Sequence, residues 1–285
     1  MRLIKPMMIL AVFGFTACQS DEKGPSSQAT ENTPDIILRA TSDFQTPSPI
    51  KAASFVPNSV ASWLGHIILL DEKGTLHRAT TDSTETDIVA LGKYADVIGL
   101  AREQQSGVFL ALTPQGQIKA FVQTDNEGNF GPMAVSTGEL NVERFCATAS
   151  PVTDSFWVRT IAQTSEKLSI ETFEDTSVTL TKIEADEDEI DLCEANNALS
   201  LSDSFTIKPD TVSNWLTLSS VEETMSLAVT NGLSIGQVNN AGFVTVTTAN
   251  MGSVYNEGAL LIAEKDEGRL VLISRAYALK EVSGR

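Results

Sequence analysis

The stretch Ala259-Leu-Leu-Ile-Ala-Glu-Lys-Asp-Glu-Gly-Arg-Leu-Val-Leu-Ile273 decides the architecture. An apolar run from Ala259 to Ala263, a polar turn closing on Gly268 and a second run from Arg269 to Leu272 read as a β-hairpin. The unit recurs along the chain. It is His66-Ile-Ile-Leu-Leu70 with Thr75-Leu-His-Arg-Ala79, then Val108-Phe-Leu-Ala-Leu112 with Gln117-Ile-Lys-Ala-Phe121. It returns as Phe156-Trp-Val-Arg159 with Lys167-Leu-Ser-Ile170, and as Trp215-Leu-Thr-Leu218 with Thr224-Met-Ser-Leu227.

The first apolar residue of each second strand falls at Leu76, Ile118, Leu168, Met225 and Leu270, at intervals of 42, 50, 57 and 45 residues. That period matches propeller blades of about 40 to 50 residues. Each hairpin follows a candidate inner strand: Lys51–Phe55, Asp96–Leu100, Glu143–Ala147, Ile190–Cys193 and Gly242–Val246. One such unit cannot shield both of its faces, so neighbours must stack around a channel. The expectation is an all-β fold, a β-propeller of five blades, with room for a sixth around Ala198 to Lys208. Ile36-Ile-Leu-Arg39 has no blade of its own and is expected to close the ring, near residues 36–40, by completing the last blade. The competing arrangement is a β-sandwich with accidental spacing. Helix is expected only at Tyr277–Glu281.

The N-terminus carries an address. Arg2 and Lys5, an apolar run from Met7 to Ala17 and small residues before Cys18 describe a secretory signal over residues 1–17. Phe15-Thr16-Ala17-Cys18 resembles the lipobox of bacterial lipoproteins. The resemblance implies a lipid on Cys18, and Gln19 in place of an Asp implies the periplasmic face of the outer membrane. Residues 18–34 have almost nothing to bury and read as a disordered tether, leaving 35–285 as the folded domain.

Removing the signal takes away Arg2 and Lys5 and no acid. It leaves 18 basic against 37 acidic side chains, a formal charge of −19. Nucleic acid is therefore an unsuitable partner. With Cys18 lipidated, Cys146 and Cys193 remain as a pair in an oxidising compartment. They hold equivalent places on successive inner strands, 47 residues apart, and are expected to form a disulfide.

Chemistry is sparse. Gly232-Leu-Ser-Ile-Gly236 has the frame of a nucleophile elbow, but both histidines precede it and no helix pattern follows, so it reads as a loop. A two-residue turn at Glu72-Lys73 would put His66 opposite residue 79 and His77 diagonally beside it on one face. Two imidazoles without a third ligand do not make a zinc site. The acidic run at Glu184, Asp186, Glu187, Asp188, Glu189 and Asp191, and the group Asp125, Glu127 and Asn129, lack EF-hand spacing and read as solvated loops. No catalytic residue, metal ligand or cofactor is assigned.

Ala249-Asn-Met-Gly-Ser-Val-Tyr-Asn-Glu-Gly-Ala-Leu-Leu-Ile-Ala-Glu264 with Gly268–Ile273 resembles the closing stretch of β-propeller phytases, Tyr255 and Gly258 standing in its Tyr-x-x-Gly. Val108–Phe130 is similar to an internal blade of that family. The resemblance implies the fold. It also implies, as an alternative activity, a calcium-dependent phosphomonoesterase, although none of the family's metal ligands is matched. A repeated scaffold without a catalytic set points first to a non-enzymatic binding or assembly module, anchored to the membrane by lipid and serving an envelope protein or ligand.

Overall fold

The computed structural model describes residues 33–284, apart from 59, 85, 91, 103–104, 126, 175, 187–190, 194–198, 211–212 and 233–234. The signal segment 1–17, Cys18 and the tether as far as residue 32 lie outside the described residues.

Two short strands come first, β1 (Ile36–Arg39) and β2 (Ser42–Gln45). The first four-stranded unit is β3 (Ile50–Val56), β4 (His66–Asp71), β5 (Leu76–Ala79) and β6 (Asp87–Ala90). The second is β7 (Asp96–Arg102), β8 (Gln105–Leu112), β9 (Ile118–Gln123) and β10 (Phe130–Ser136). The third is β11 (Val142–Cys146), β12 (Ser155–Thr160), β13 (Ser165–Glu174) and β14 (Ser177–Ile183), whose outer strand β14 pairs in parallel with β10 and so joins the second and third units into one eight-stranded sheet. The fourth is β15 (Leu199–Ser202), β16 (Phe205–Pro209), β17 (Leu216–Ser219) and β18 (Thr224–Thr230). The fifth is β19 (Ala241–Thr247), β20 (Ala259–Glu264) and β21 (Arg269–Ser274), with β2 as its fourth strand. Helix α1 (Arg275–Ser283) follows, where a turn or two was expected. Among the described residues no helix is long and apolar enough to cross a membrane.

The core shows why the second strands read as unbroken apolar runs. In β4, Ile67 and Leu69 pack with residues of the fifth unit, and Ile68 and Leu70 with residues of the second. In β20, Leu261 packs towards the first unit and Leu260 and Ile262 towards the fourth. A strand buried on both faces loses the period-two alternation. Each fully buried Leu or Ile adds about 1.5–3 kcal/mol of transfer free energy.

Four large apolar clusters lie in turn between units four and five, five and one, one and two, and two and three. That cyclic order is the propeller; two sheets pressed together would share one core. The seam between units three and four differs. Its described core is Cys146, Trp157 and Cys193, with Leu192 alongside.

The N-terminal segment closes the ring with a division of labour. Ile36–Arg39 adds to the fourth unit as a fifth strand, parallel to β18, while Ser42–Gln45 completes the last unit against β21. Alternation explains β1: Ile36 and Leu38 are buried in the cluster between units four and five, and Ile37 is exposed. The fourth unit also corrects the sequence reading by one strand. Trp215–Leu218 and Thr224–Leu227 belong to its third and fourth strands, and its inner strand is Leu199–Ser202. Leu192 and Cys193 form a turn before it. The stretch proposed to hold a sixth blade supplies β15 and β16.

Candidate functional site

The inner strands β3, β7, β11, β15 and β19 surround the channel, and a cavity of about 860 Å³ is lined by the N-terminal halves of β3, β7, β15 and β19 and by Arg144–Cys146 of β11. Its mouth carries Lys51 from β3, Asp96 from β7, Arg144 from β11, and Lys208 and Asp210 at the end of β16. Apolar side chains, among them Ile98, Phe145 and Phe243, line its walls. Because Lys208 and Thr217 belong to the fourth unit, the cavity reaches towards the thinly packed seam beside the third.

Residues 147–152, following β11, form the floor. Thr148 accepts a bond from Ser200 N–H of β15 at 2.7 Å, and Ser150 N–H donates to Val246 of β19 at 3.0 Å. Phe55 N–H of β3 donates to Ser150 Oγ at 2.8 Å, and Val152 N–H donates to Gly99 of β7 at 2.9 Å. One segment thus ties together the four inner strands other than its own. Under it, Ser54 Oγ accepts from Gly99 N–H at 2.6 Å and pairs with Ser150 Oγ. Gly99 is needed because a Cβ there would meet the Phe55 carbonyl oxygen at 2.2 Å.

Electrostatics at the mouth centre on Asp96. Its Oδ1 accepts from Val97 N–H at 2.8 Å and its Oδ2 from Phe145 N–H at 2.7 Å. Burial raises its pKa to about 6, against the lowering effect of those two bonds and of Lys51 and Arg144. Arg144 is aimed by its own bond, Nη2 donating to the Cys193 carbonyl at 2.6 Å. Lys51 Nζ donates to Tyr94 O at 3.3 Å.

The structure joins Cys146 and Cys193, as the sequence suggested, though only Cys146 is on an inner strand. The bridge pins the connection after β14 to the end of β11 and so also holds the acceptor that orients Arg144.

His66 and His77 are not on one face. The turn has three residues, Glu72 to Gly74, with Asp71 N–H donating to Thr75 O and Gly74 at φ +82°. Register therefore pairs Leu69 with His77 and Ile67 with Ala79, which turns His66 to the other side. His66 packs edge-on to Phe130, and its pKa is lowered by burial and by Arg78, with Asp125 opposing.

His77 Nε2 lies 3.2 Å from Asp71 Oδ2, which accepts from Ser48 Oγ at 2.9 Å, while Asp71 Oδ1 accepts from Thr75 N–H at 2.7 Å. Burial pushes the Asp71 pKa up, but these bonds outweigh it and leave it lowered. The serine donates to the carboxylate and not to the imidazole, so no base addresses a nucleophile. The trio staples the loop before β3 to the β4–β5 turn, and sequence spacing gave no sign of it.

Asp125 likewise builds a turn. It accepts from the N–H groups of Glu127 and Asn129 at 3.0 and 2.9 Å and from the Asn129 side chain at 2.6 Å, which lowers its pKa. Residues 187–189 of the acidic run, and Leu233 and Ser234 of the elbow frame, lie outside the described residues. Among the described residues no group of three His, Cys, Asp or Glu side chains is placed to hold a metal ion. Tyr255 and Gly258, which carried the phytase resemblance, have building roles. Tyr255 is buried with its hydroxyl 2.6 Å from Ser42 Oγ, and Gly258 at φ +101° passes against Thr247 O.

Sequence reasoning missed Lys51, Asp96, Arg144 and Lys208. The signal for Lys51 and Asp96 was a charged residue at or next to the start of an inner strand that is then apolar for several residues.

The strand order and cluster sequence define the class: an all-β propeller with a cavity in its channel. No protein-family profile matches the chain, and no curated protein sequence does. Among solved structures it is similar to Sqt1 of Saccharomyces cerevisiae at 8% identity, covering 84% of this chain and 99% of that one, TM-score 0.44. It is also similar to the N-terminal domain of Nup159, at 10% identity over 73% and 62% of the two chains, TM-score 0.25. A third is YCF48 from Cyanidioschyzon merolae, at 7% identity over 74% and 66%, TM-score 0.28.

Proposed function

We propose that this chain is a non-enzymatic binding module, held on the periplasmic face of the outer membrane by lipid on Cys18, that receives the anionic group of a ligand or envelope protein at the channel mouth. The cavity carries the reading: about 860 Å³ falls in the range of small-ligand sites, with apolar walls and a few convergent polar groups. In a chain of formal charge −17, the mouth reverses the local balance, with Lys51, Arg144 and Lys208 against Asp96 and Asp210. The calcium-dependent phosphomonoesterase calls for converging carboxylates. The described lining interleaves two with three cations, and both oxygens of Asp96 are already bonded to backbone.

Asp96 supplies a test. With a pKa of about 6 it is neutral at pH 5 and charged at pH 7.5. An alkyl or aryl sulfonate keeps its charge throughout and offers an apolar body to the walls. Calorimetric titration is expected to find binding tighter at pH 5 than at pH 7.5 by roughly three- to tenfold, the size of removing one partly screened repulsion. Lys208→Glu is expected to weaken binding at both pH values. Sulfonates that bind equally to wild type and Lys208→Glu would reject the mouth as the site, and calcium-dependent turnover of a generic phosphoester would favour the enzyme.

A further inference from the structure

Two short 3₁₀ turns, Ser62–Leu64 between β3 and β4 and Ser253–Tyr255 between β19 and β20, stand side by side. A Cβ added at Gly252 would lie 3.3 Å from Trp63 Cβ. Together they leave Val60 82%, Trp63 58%, Leu64 52% and Val254 52% exposed. Neither residues 57–65 nor residues 249–256 include a charged side chain. Single exposed apolar residues are ordinary, but a cluster with a tryptophan and no charge marks a contact surface.

This end of the propeller is opposite the cavity mouth. The two turns follow the C-terminal ends of inner strands, whereas Lys51 and Asp96, at the cavity mouth, stand at the N-terminal ends of theirs. The chain also enters the fold at the same end. Ser226 N–H and Oγ donate to Asp35 Oδ2 at 2.8 and 2.7 Å, beside the start of β18. A fourth strand starts at the end where the first strand finishes, because successive strands run antiparallel.

We propose that these two uncharged apolar turns rest on the surface of the lipid bilayer, with Trp63 at the headgroup level and the cavity mouth facing away. The inference rests on the Cys18 anchor. Sixteen residues, 19–34, separate Cys18 from the fold. Were these residues the unstructured tether their composition suggests, they would span about 20–24 Å on average, and the end where the chain enters would be the end kept nearest the membrane. Tryptophan prefers that interface, where its ring is half apolar and its N–H is wet. The strongly acidic remainder disfavours broader contact with anionic headgroups, which confines the contact to the uncharged turns.

Full-length acylated protein in phosphatidylcholine vesicles, with and without bromine on the acyl chains, tests this. The emission that differs between wild type and Trp63→Ala belongs to Trp63, and Trp63 is exposed enough for the variant to fold. Bromolipid is expected to quench that difference about twofold or more, as for an interfacial indole. Protein missing from the vesicle pellet would overturn the anchor and this seating with it. Pelleted protein whose Trp63 is unquenched by bromolipid but quenched by acrylamide would overturn the seating alone. Resistance to both quenchers would place a second copy over the patch, and also overturn it.

Discussion

Arg269→Ala is expected to cost about 3–5 kcal/mol, the loss seen when a buried charge is stripped of its partner. Arg269 lies at the head of β21, 9% exposed, and its Nε donates to Asp43 Oδ2 of β2 at 3.0 Å. Nη1 donates to Glu264 Oε2 at 3.3 Å and to Gln237 O at 2.8 Å, and Nη2 to Gly236 O at 2.5 Å. One guanidinium thus joins the closing strand, the middle strand and the loop that leads into the last unit. Its removal leaves Glu264, 2% exposed, with the Asn239 N–H as its hydrogen-bond partner among the described residues. For a domain of this size the melting point should fall by about 10 °C. Adding Glu264→Gln to the alanine variant should restore part of the loss, because the stranded charge is then gone. A melting point unchanged by Arg269→Ala would show that the cluster does not hold the ring shut.

The second large effect is expected at the bridge. Opening the Cys146–Cys193 link, which spans a separation of 47 residues, should cost roughly 4 kcal/mol in the chain-entropy model. Place matters as much as length here. The other four seams are filled by extensive apolar clusters, and this one has Trp157 and Leu192 around the sulfurs. Cys193→Ser should therefore loosen the third unit against the fourth in particular. It should also weaken sulfonate binding, since the Cys193 carbonyl that orients Arg144 loses its fixed place. Denaturant unfolding with and without reductant measures the first effect and titration of the variant the second. Equal midpoints would mean that the seam is held by contacts other than the bridge.

How far the chain could be read from its sequence follows from burial. Hairpins such as His66–Ala79 and Ala259–Leu272 stood out because their central strands are covered on both sides, which leaves long apolar runs. The fourth unit was displaced by one strand because β15 and β16 are short and half-buried, Leu-Ser-Leu-Ser and Phe-Thr-Ile-Lys-Pro, with polar residues where they border the seam. Its inner strand therefore looked weaker than the stretch ending at Cys193. The histidine pair went astray by a single residue of turn length, enough to flip every side chain of a strand. The mouth was hidden for another reason: Lys51, Asp96, Arg144 and Lys208 are about 45 to 65 residues apart, and only the winding of the chain brings them together. The floor at 147–152 consists of small residues that act through backbone bonds and the Ser150 hydroxyl, which the apolar pattern does not reveal.

Everything above depends on the early strand β2 lying in the same sheet as β20 and β21. Native-state amide exchange tests this most directly by comparing residues 42–45 with residues 259–264 and 269–274. If the ends meet as described, all three segments should exchange only through global opening, with matching free energies and a parallel response to denaturant. Exchange of residues 42–45 at the rate of a frayed terminus, while β20 and β21 stay protected, would contradict the closed ring.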